Sequence, residues 1–231
     1  MTKLGEIPAW RKQLERGLAE CLRQEGFLCR QGVIFRQGPA QTTQKLGCPS
    51  SAERWGGGCL CVTLHFGVRY EAIEDFIDKW PDNPLEPSFL RASVKLVYKG
   101  PDGLMRRLII AKPDDIRAAR NEILQATRTT GFAFFERFSS LEALIEALRD
   151  PEEKGFIPIS ESPTALPVAA ALTGQKDKVE QYCRDQYGRI KNLPRYALAK
   201  LYPSFVAYLS REFGIPISLE GVESPRPVRE T

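Results

Sequence analysis

The stretch CLCVTLHFGV, residues 59–68, decides the fold class. Leu60, Val62, Leu64, Phe66 and Val68 alternate with Cys59, Cys61, Thr63, His65 and Gly67. Only an extended chain, with its two-residue side-chain period, sorts these two sets onto opposite faces. The first set reads as the core face of a β-sheet. Upstream, Val33-Ile34-Phe35-Arg36, a Gly38-Pro39 turn and Thr42-Thr43-Gln44-Lys45-Leu46 continue the β pattern, followed by a loop with Trp55 and Gly56-Gly57-Gly58. Downstream, Tyr70, Ile73, Phe76, Ile77 and Trp80 recur at helical spacing, and Pro81, Pro84 and Pro87 end that helix. Residues 89–98 and 104–111 read as a hairpin around Pro101-Asp102-Gly103.

Helical spacing dominates outside this zone. Trp10, Leu14, Leu18, Cys21 and Leu22 mark one buried stripe on a helix over residues 7–25, with Gly26 as its stop. Ile116, Ala119, Ile123, Leu124 and Thr127 mark another, ending near Gly131. Phe132, Phe134, Phe135 and Phe138 form an aromatic cluster, and Ser139 with Glu142 reads as a capping box for the next helix. Gly-Phe follows a helix twice, at Gly26-Phe27 and at Gly131-Phe132. Three more helices are expected over 164–173, 176–187 and 194–213, the last kinked or restarted at Pro203. The expectation is an α+β fold: a mostly antiparallel sheet of four to five strands packed by helices over residues 1–150. A linker at 151–163, a helical C-terminal annex at 164–213 and a frayed tail at 214–231 complete it.

Composition narrows the function classes. The chain has 231 residues, 42% of them hydrophobic and 27% charged, with a formal net charge of +4. Collagen-like, coiled-coil and disordered classes are excluded. No run approaches the roughly 20 apolar residues that span a bilayer, and no secretory signal opens the chain, so the expectation is a cytoplasmic protein with no membrane partner. In that compartment the six cysteines are reduced thiols. A sequence pI near 8.7 leaves nucleic acid possible but not favoured.

Helix one, then Gly26-Phe27, Phe35-Arg36, Gln44-Lys45-Leu46 and Phe66-Gly67-Val68 follow each other in an order that resembles the bacterial family called domain of unknown function 4304. The resemblance covers residues 10–150 and implies an α+β fold without implying any activity. The Cys59-x-Cys61 strand and the triple-glycine loop depart from that pattern.

Candidate sites are few. Cys59, Cys61 and His65 share a strand face and Cys48 precedes them, but C-x10-C-x-C-x3-H is not zinc-ligand spacing, and six residues of strand span about 20 Å. Small packed thiols and a hydrogen-bonded imidazole are the expected outcome, with no metal and no cofactor. His65 is the only histidine. The triple glycine leads into a strand, not into the helix a phosphate loop requires. Glu71, Glu74, Asp75 and Asp78 read as a solvated helix face, and Arg106-Arg107 with Lys95 and Lys99 as a basic sheet edge. Tyr182, Tyr187, Tyr196, Tyr202 and Tyr208 concentrate in the annex, where tyrosine serves either core or interface. Two functions remain. One is a non-enzymatic protein-binding module of the bacterial cytoplasm, of immunity or adaptor type, contacting another protein through Arg106, Arg107, Tyr202 and Tyr208. The other is a binding or catalytic module on the Cys59/Cys61/His65 face, with an anion held by Arg36, Lys45 or Arg106.

Overall fold

The computed structural model describes residues 4–30, 32–53, 58–83, 92–100, 103–149, 163–193 and 197–223. Expectations that rest on Trp55, Gly56, Gly57, Pro84, Pro87, Pro101, Asp102, the linker, Pro194, Tyr196, Pro225 and Pro227 lie outside these residues. The fold is α+β. Strands β1 (Leu28–Arg30), β2 (Val33–Gln37), β3 (Thr42–Gly47), β6 (His65–Tyr70) and β7 (Val94–Val97) form an antiparallel sheet in the order β1-β2-β3-β6-β7. Strands β4 (Ser50–Glu53), β5 (Cys59–Thr63) and β8 (Arg107–Ile110) form a second, in the order β4-β5-β8.

The stretch 59–68 is therefore two strands, not one. It passes from the small sheet to the large one at Leu64. Both flanking chains break at the same line. Pro49, which has no N–H to give the ladder, separates β3 from β4, and its carbonyl accepts the Thr63 N–H at 3.0 Å. On the other flank the Tyr98 N–H donates to the Leu64 carbonyl at 2.9 Å, and the Arg106 N–H donates back to Tyr98 at 3.1 Å. Between these contacts, among the described residues, Lys99 and Met105 form an isolated bridge outside both sheets. The expected hairpin thus places β7 and β8 in different sheets. The core face survives the bend, since Leu60, Val62, Leu64, Phe66 and Val68 all join the main hydrophobic core, while Cys59, Cys61 and Gly67 of the other face are also covered.

Helix α1 (Ile7–Cys21) lays Trp10, Leu14 and Leu18 on this core, whereas Cys21, expected on the stripe, is exposed. Helix α2 is Glu71–Asp78. Helix α3 (Asp115–Ala126) does not stop at Gly131. It runs through a π turn, Thr127–Gly131, into α4 (Phe132–Arg137). Gly131 has an ordinary helical φ of −64°, and a Cβ there would stand 2.6 Å from the Phe66 ring, so the glycine admits an aromatic side chain rather than ending a helix. Helix α5 (Leu141–Arg149) is capped by Ser140, not Ser139: the Ala143 N–H donates to Ser140 Oγ at 3.2 Å.

Helices α6 (Ala165–Leu172), α7 (Lys176–Ile190) and α8 (Ala197–Phe213) follow, with α8 continuous through Pro203. They share one hydrophobic core with the sheet through α2. Phe76 lies 4.9 Å from Tyr208 and 5.2 Å from Phe213, and Trp80 meets Phe205 edge-on at 5.5 Å. After Gly214 the chain, expected to fray, is tied along α7 as far as residue 223. Ile215 is buried, Arg184 donates to the carbonyls of Ser218 and Glu220, and Lys191 donates to that of Val222.

Candidate functional site

Arg36 sits where three of the sequence words converge. Helix α1 passes into a 3-10 turn, Arg23–Glu25, which Gly26 terminates at φ +82°. The Gly26 N–H then donates to Arg23 and the Phe27 N–H to Leu22, at 3.0 and 3.2 Å. This C-terminal cap drops Phe27 into the core and leaves the Glu25 carbonyl facing outward, where Arg36 Nη1 donates to it at 3.0 Å. Across the β2–β3 hairpin Arg36 is paired with Gln44, and its Nε donates to Gln44 Oε1 at 2.7 Å. The guanidinium carbon lies 4.8 Å from both the Phe27 and Phe132 ring centroids and 5.9 Å from that of Phe135. Phe27 and Phe132, the two residues of the recurring Gly-Phe pair, are stacked with 9° between their planes at 6.3 Å. Cation–π contact and two hydrogen bonds fix the side chain. Burial lowers its pKa, with Glu25 opposing. A cavity of about 400 Å³ opens beside it, lined among others by Gly26, Leu28, Phe35, Gly38, Pro39 and Gln44.

Lys45 belongs to a different structure. The charges acting on it are Arg69, Glu71, Glu74 and Lys95, of which Arg69 and Glu74 are buried. Arg69 Nε reaches Glu71 Oε2 at 2.8 Å and Nη1 reaches Glu74 Oε2 at 3.5 Å. Thr43 donates to Glu71 and Ser93 to Glu74, at 2.7 and 2.9 Å. The α2 carboxylates expected on a solvated face thus divide: Glu74 and half-buried Glu71 hold Arg69, while Asp75 is exposed. Burial, aided by Arg69 and Lys95 and opposed by Glu71 and Glu74, pushes the Lys45 ammonium down to about 8.

The cysteine–histidine face is not assembled. Cys59 and Cys61 lie in the small sheet opposite Glu53 and Ser51, and His65 lies in the large sheet opposite Gly47 and Val97. Cys48 is buried in the main hydrophobic core, which Cys59, Cys61 and His65 do not join, and burial pushes its thiol up to about 12. Burial and then Glu53 raise Cys61. Raised in this way, the Cys48 and Cys61 thiols stay protonated at neutral pH, where the thiolate is the reactive form. Among the described residues no group of three His, Cys, Asp or Glu side chains could hold a metal ion.

No family model, no curated protein and no solved structure matches this chain. Of the described annex tyrosines, Tyr182, Tyr202 and Tyr208 are buried and Tyr187 is half-buried. Tyr202 is fully enclosed, stacks on Tyr187 at 5.9 Å and donates to the Pro163 carbonyl at 3.3 Å, and Tyr208 is buried against Phe76. Neither presents an interface. Arg106 is turned onto α3, where Nε donates to Glu122 Oε1 at 2.7 Å. Arg107 remains exposed on β8, the terminal strand of its sheet.

Around Arg107 lies a patch that the sequence reading passed over. Six large hydrophobic side chains are exposed among the described residues, and three of them, Leu104 (69%), Met105 (44%) and Ile109 (51%), fall on β8 and the loop leading into it. Within β8, Leu108 and Ile110 point inward while Arg107 and Ile109 point outward. A cavity of about 570 Å³ lies alongside, bounded by Tyr98, Gly100, Arg106, Glu122, Gln125 and Thr129. The visible signal was the run Leu104-Met105-Arg106-Arg107-Leu108-Ile109, too apolar for one sheet face alone.

Proposed function

We propose that the chain is a non-enzymatic protein-binding module of the bacterial cytoplasm, of adaptor or immunity type. It would engage its partner through the β8 corner rather than through the annex tyrosines. The observation that carries this reading is the clustering of Leu104, Met105 and Ile109 on a terminal strand, with exposed Lys99, Arg107 and Lys112 around them. Contiguous exposed apolar side chains with a charged rim mark interaction surfaces on soluble proteins. A four-residue terminal strand also offers unpaired backbone groups to a partner strand. The basic rim favours a partner with an acidic edge around an apolar centre, and a net charge of +4 speaks against a basic nuclease as that partner.

The test is native mass spectrometry of the protein isolated from its own host, beside a Met105→Asp, Ile109→Asp double variant. Both positions are exposed, so the variant should unfold at the parental temperature. A stoichiometric second polypeptide on the parent, absent from the variant and released as salt is raised, is the expected result. A bare mass for the parent, or a partner that the double variant retains, overturns the reading.

A further inference from the structure

The Arg36 cavity holds two hydrogen-bond donors with nothing to donate to. Gln44 is buried, and its amide orientation is fixed because arginine can only donate: the oxygen must face Arg36 Nε, so the nitrogen faces away, toward Gly38. Gln44 Nε2 donates to no group among the described residues, and neither does Arg36 Nη2. Neither donor is sealed from solvent, so both open into the cavity and can exchange water for an acceptor carried by an occupant. Gly38 keeps the space open beside the amide: a Cβ there would stand 3.0 Å from Gln44 Nε2 and 2.5 Å from Thr42 Oγ1.

The walls define the rest of the ligand. Leu28 and Phe35 face each other across β1 and β2, and Pro39 closes the turn beyond them, so apolar surface lies next to the paired donors. Leu28 is 61% exposed, an apolar side chain left at the rim. The one carboxylate of the lining, Glu25, is held by Arg128 Nη2 at 2.9 Å, so the site keeps a net positive charge. Glu25 Oε2 has no hydrogen-bond partner but is closed off from solvent. A volume of about 400 Å³ lies in the range of roughly 300–1,000 Å³ usual for small-molecule pockets.

We infer that this cavity binds a small organic acid, its carboxylate received by Arg36 and Gln44 and its apolar body lying against Leu28, Phe35 and Pro39. The arginine is already stacked and oriented, so little ordering is required when the acid binds. This site is separate from the β8 corner, and its occupancy does not depend on the protein-binding reading.

The experiment is titration of the full chain with benzoate and hexanoate, followed by calorimetry and amide chemical shifts, with benzamide and inorganic phosphate as controls. Saturable binding of the acids in the millimolar range or tighter, with shifts centred on residues 26–28, 35–39 and 44, is expected, benzamide and phosphate being at least tenfold weaker. The deciding variant is Gln44→Glu. It keeps the shape and gives Arg36 an ionised partner, so the fold holds while the donor becomes a second carboxylate and acid binding falls at least tenfold. Leu28→Asp, at the exposed rim, weakens binding in the same direction. No saturation up to about 50 mM, undiminished binding by Gln44→Glu, or phosphate binding as well as benzoate each overturns the inference.

Discussion

Lys45 shows how a single side chain can work against the fold that contains it. The unfolded chain carries this ammonium with an ordinary pKa near 10.5, and burial beside Arg69 lowers it to about 8 in the folded chain. Below about pH 8 both states hold the proton and the penalty is present in full. Between about 8 and 10.5 the folded state releases it first, so this group makes the protein more stable as pH rises. The buried thiols Cys48 and Cys183, each pushed up to about 12 by burial, act oppositely from about pH 9 upward, because the unfolded chain loses those protons first. The difference between the parent and Lys45→Met isolates the lysine. The variant is expected to be more stable at pH 7 by about 1–3 kcal/mol, and the gap should close by pH 10.5. Urea denaturation at both pH values measures it, and a gap independent of pH would mean that Lys45 is not strained by its burial.

The unit of information in this chain is the element, and its limits are those of local pattern. The alternation over 59–68 and the helical stripes report which side of a segment is buried, and apart from exposed Cys21 and half-buried Phe76 those sides are buried in the structure. The bend at Leu64 is set by Pro49 on one flank and the residue 99–106 loop on the other, which no window around Leu64 contains. Half the Arg36 site was open to counting: a tight turn at Gly38-Pro39 puts Arg36 opposite Gln44. Phe132, which closes the other half from 96 positions further on, was beyond any such count. The Lys45 network escaped because Glu74 follows Ile73 on the inner margin of α2, where helical spacing alone reads a carboxylate as solvent-facing. Gly131 was misread for the same reason, since a glycine after an apolar stripe is the usual stop. In a continuing helix Gly→Ala normally stabilises by up to about 1 kcal/mol. Here Gly131→Ala is expected to destabilise by about 1–3 kcal/mol, because the methyl group must displace Phe66. Thermal unfolding gives the sign directly, and a stabilised variant would show that the helix can shift away from that ring.

At the scale of the whole molecule, sheet and annex share one core, and α2 is the joint between them. Phe76, held between Tyr208 and Phe213, lies at that joint. Phe76→Ala is expected to cost about 2–4 kcal/mol and to shift the whole chain together. Tryptophan fluorescence, with Trp10 on the inner face of α1 and Trp80 at the joint among its sources, and far-UV circular dichroism, which sums the helices on both sides of the joint, should therefore report the same midpoint in parent and variant. Two separated midpoints would mean that the annex folds by itself. The residue 99–106 loop stands outside this cooperation. Its two ends are clamped to the same short stretch of backbone, by Tyr98 on Leu64 and Arg106 on Tyr98, so the ladder on either side continues whatever lies between. Exposed Leu104 and Met105 can be exchanged without touching either of those bonds. On the proposed protein-binding reading, the contact surface at the β8 corner can therefore change while the hydrogen bonds that hold the two sheets stay in place.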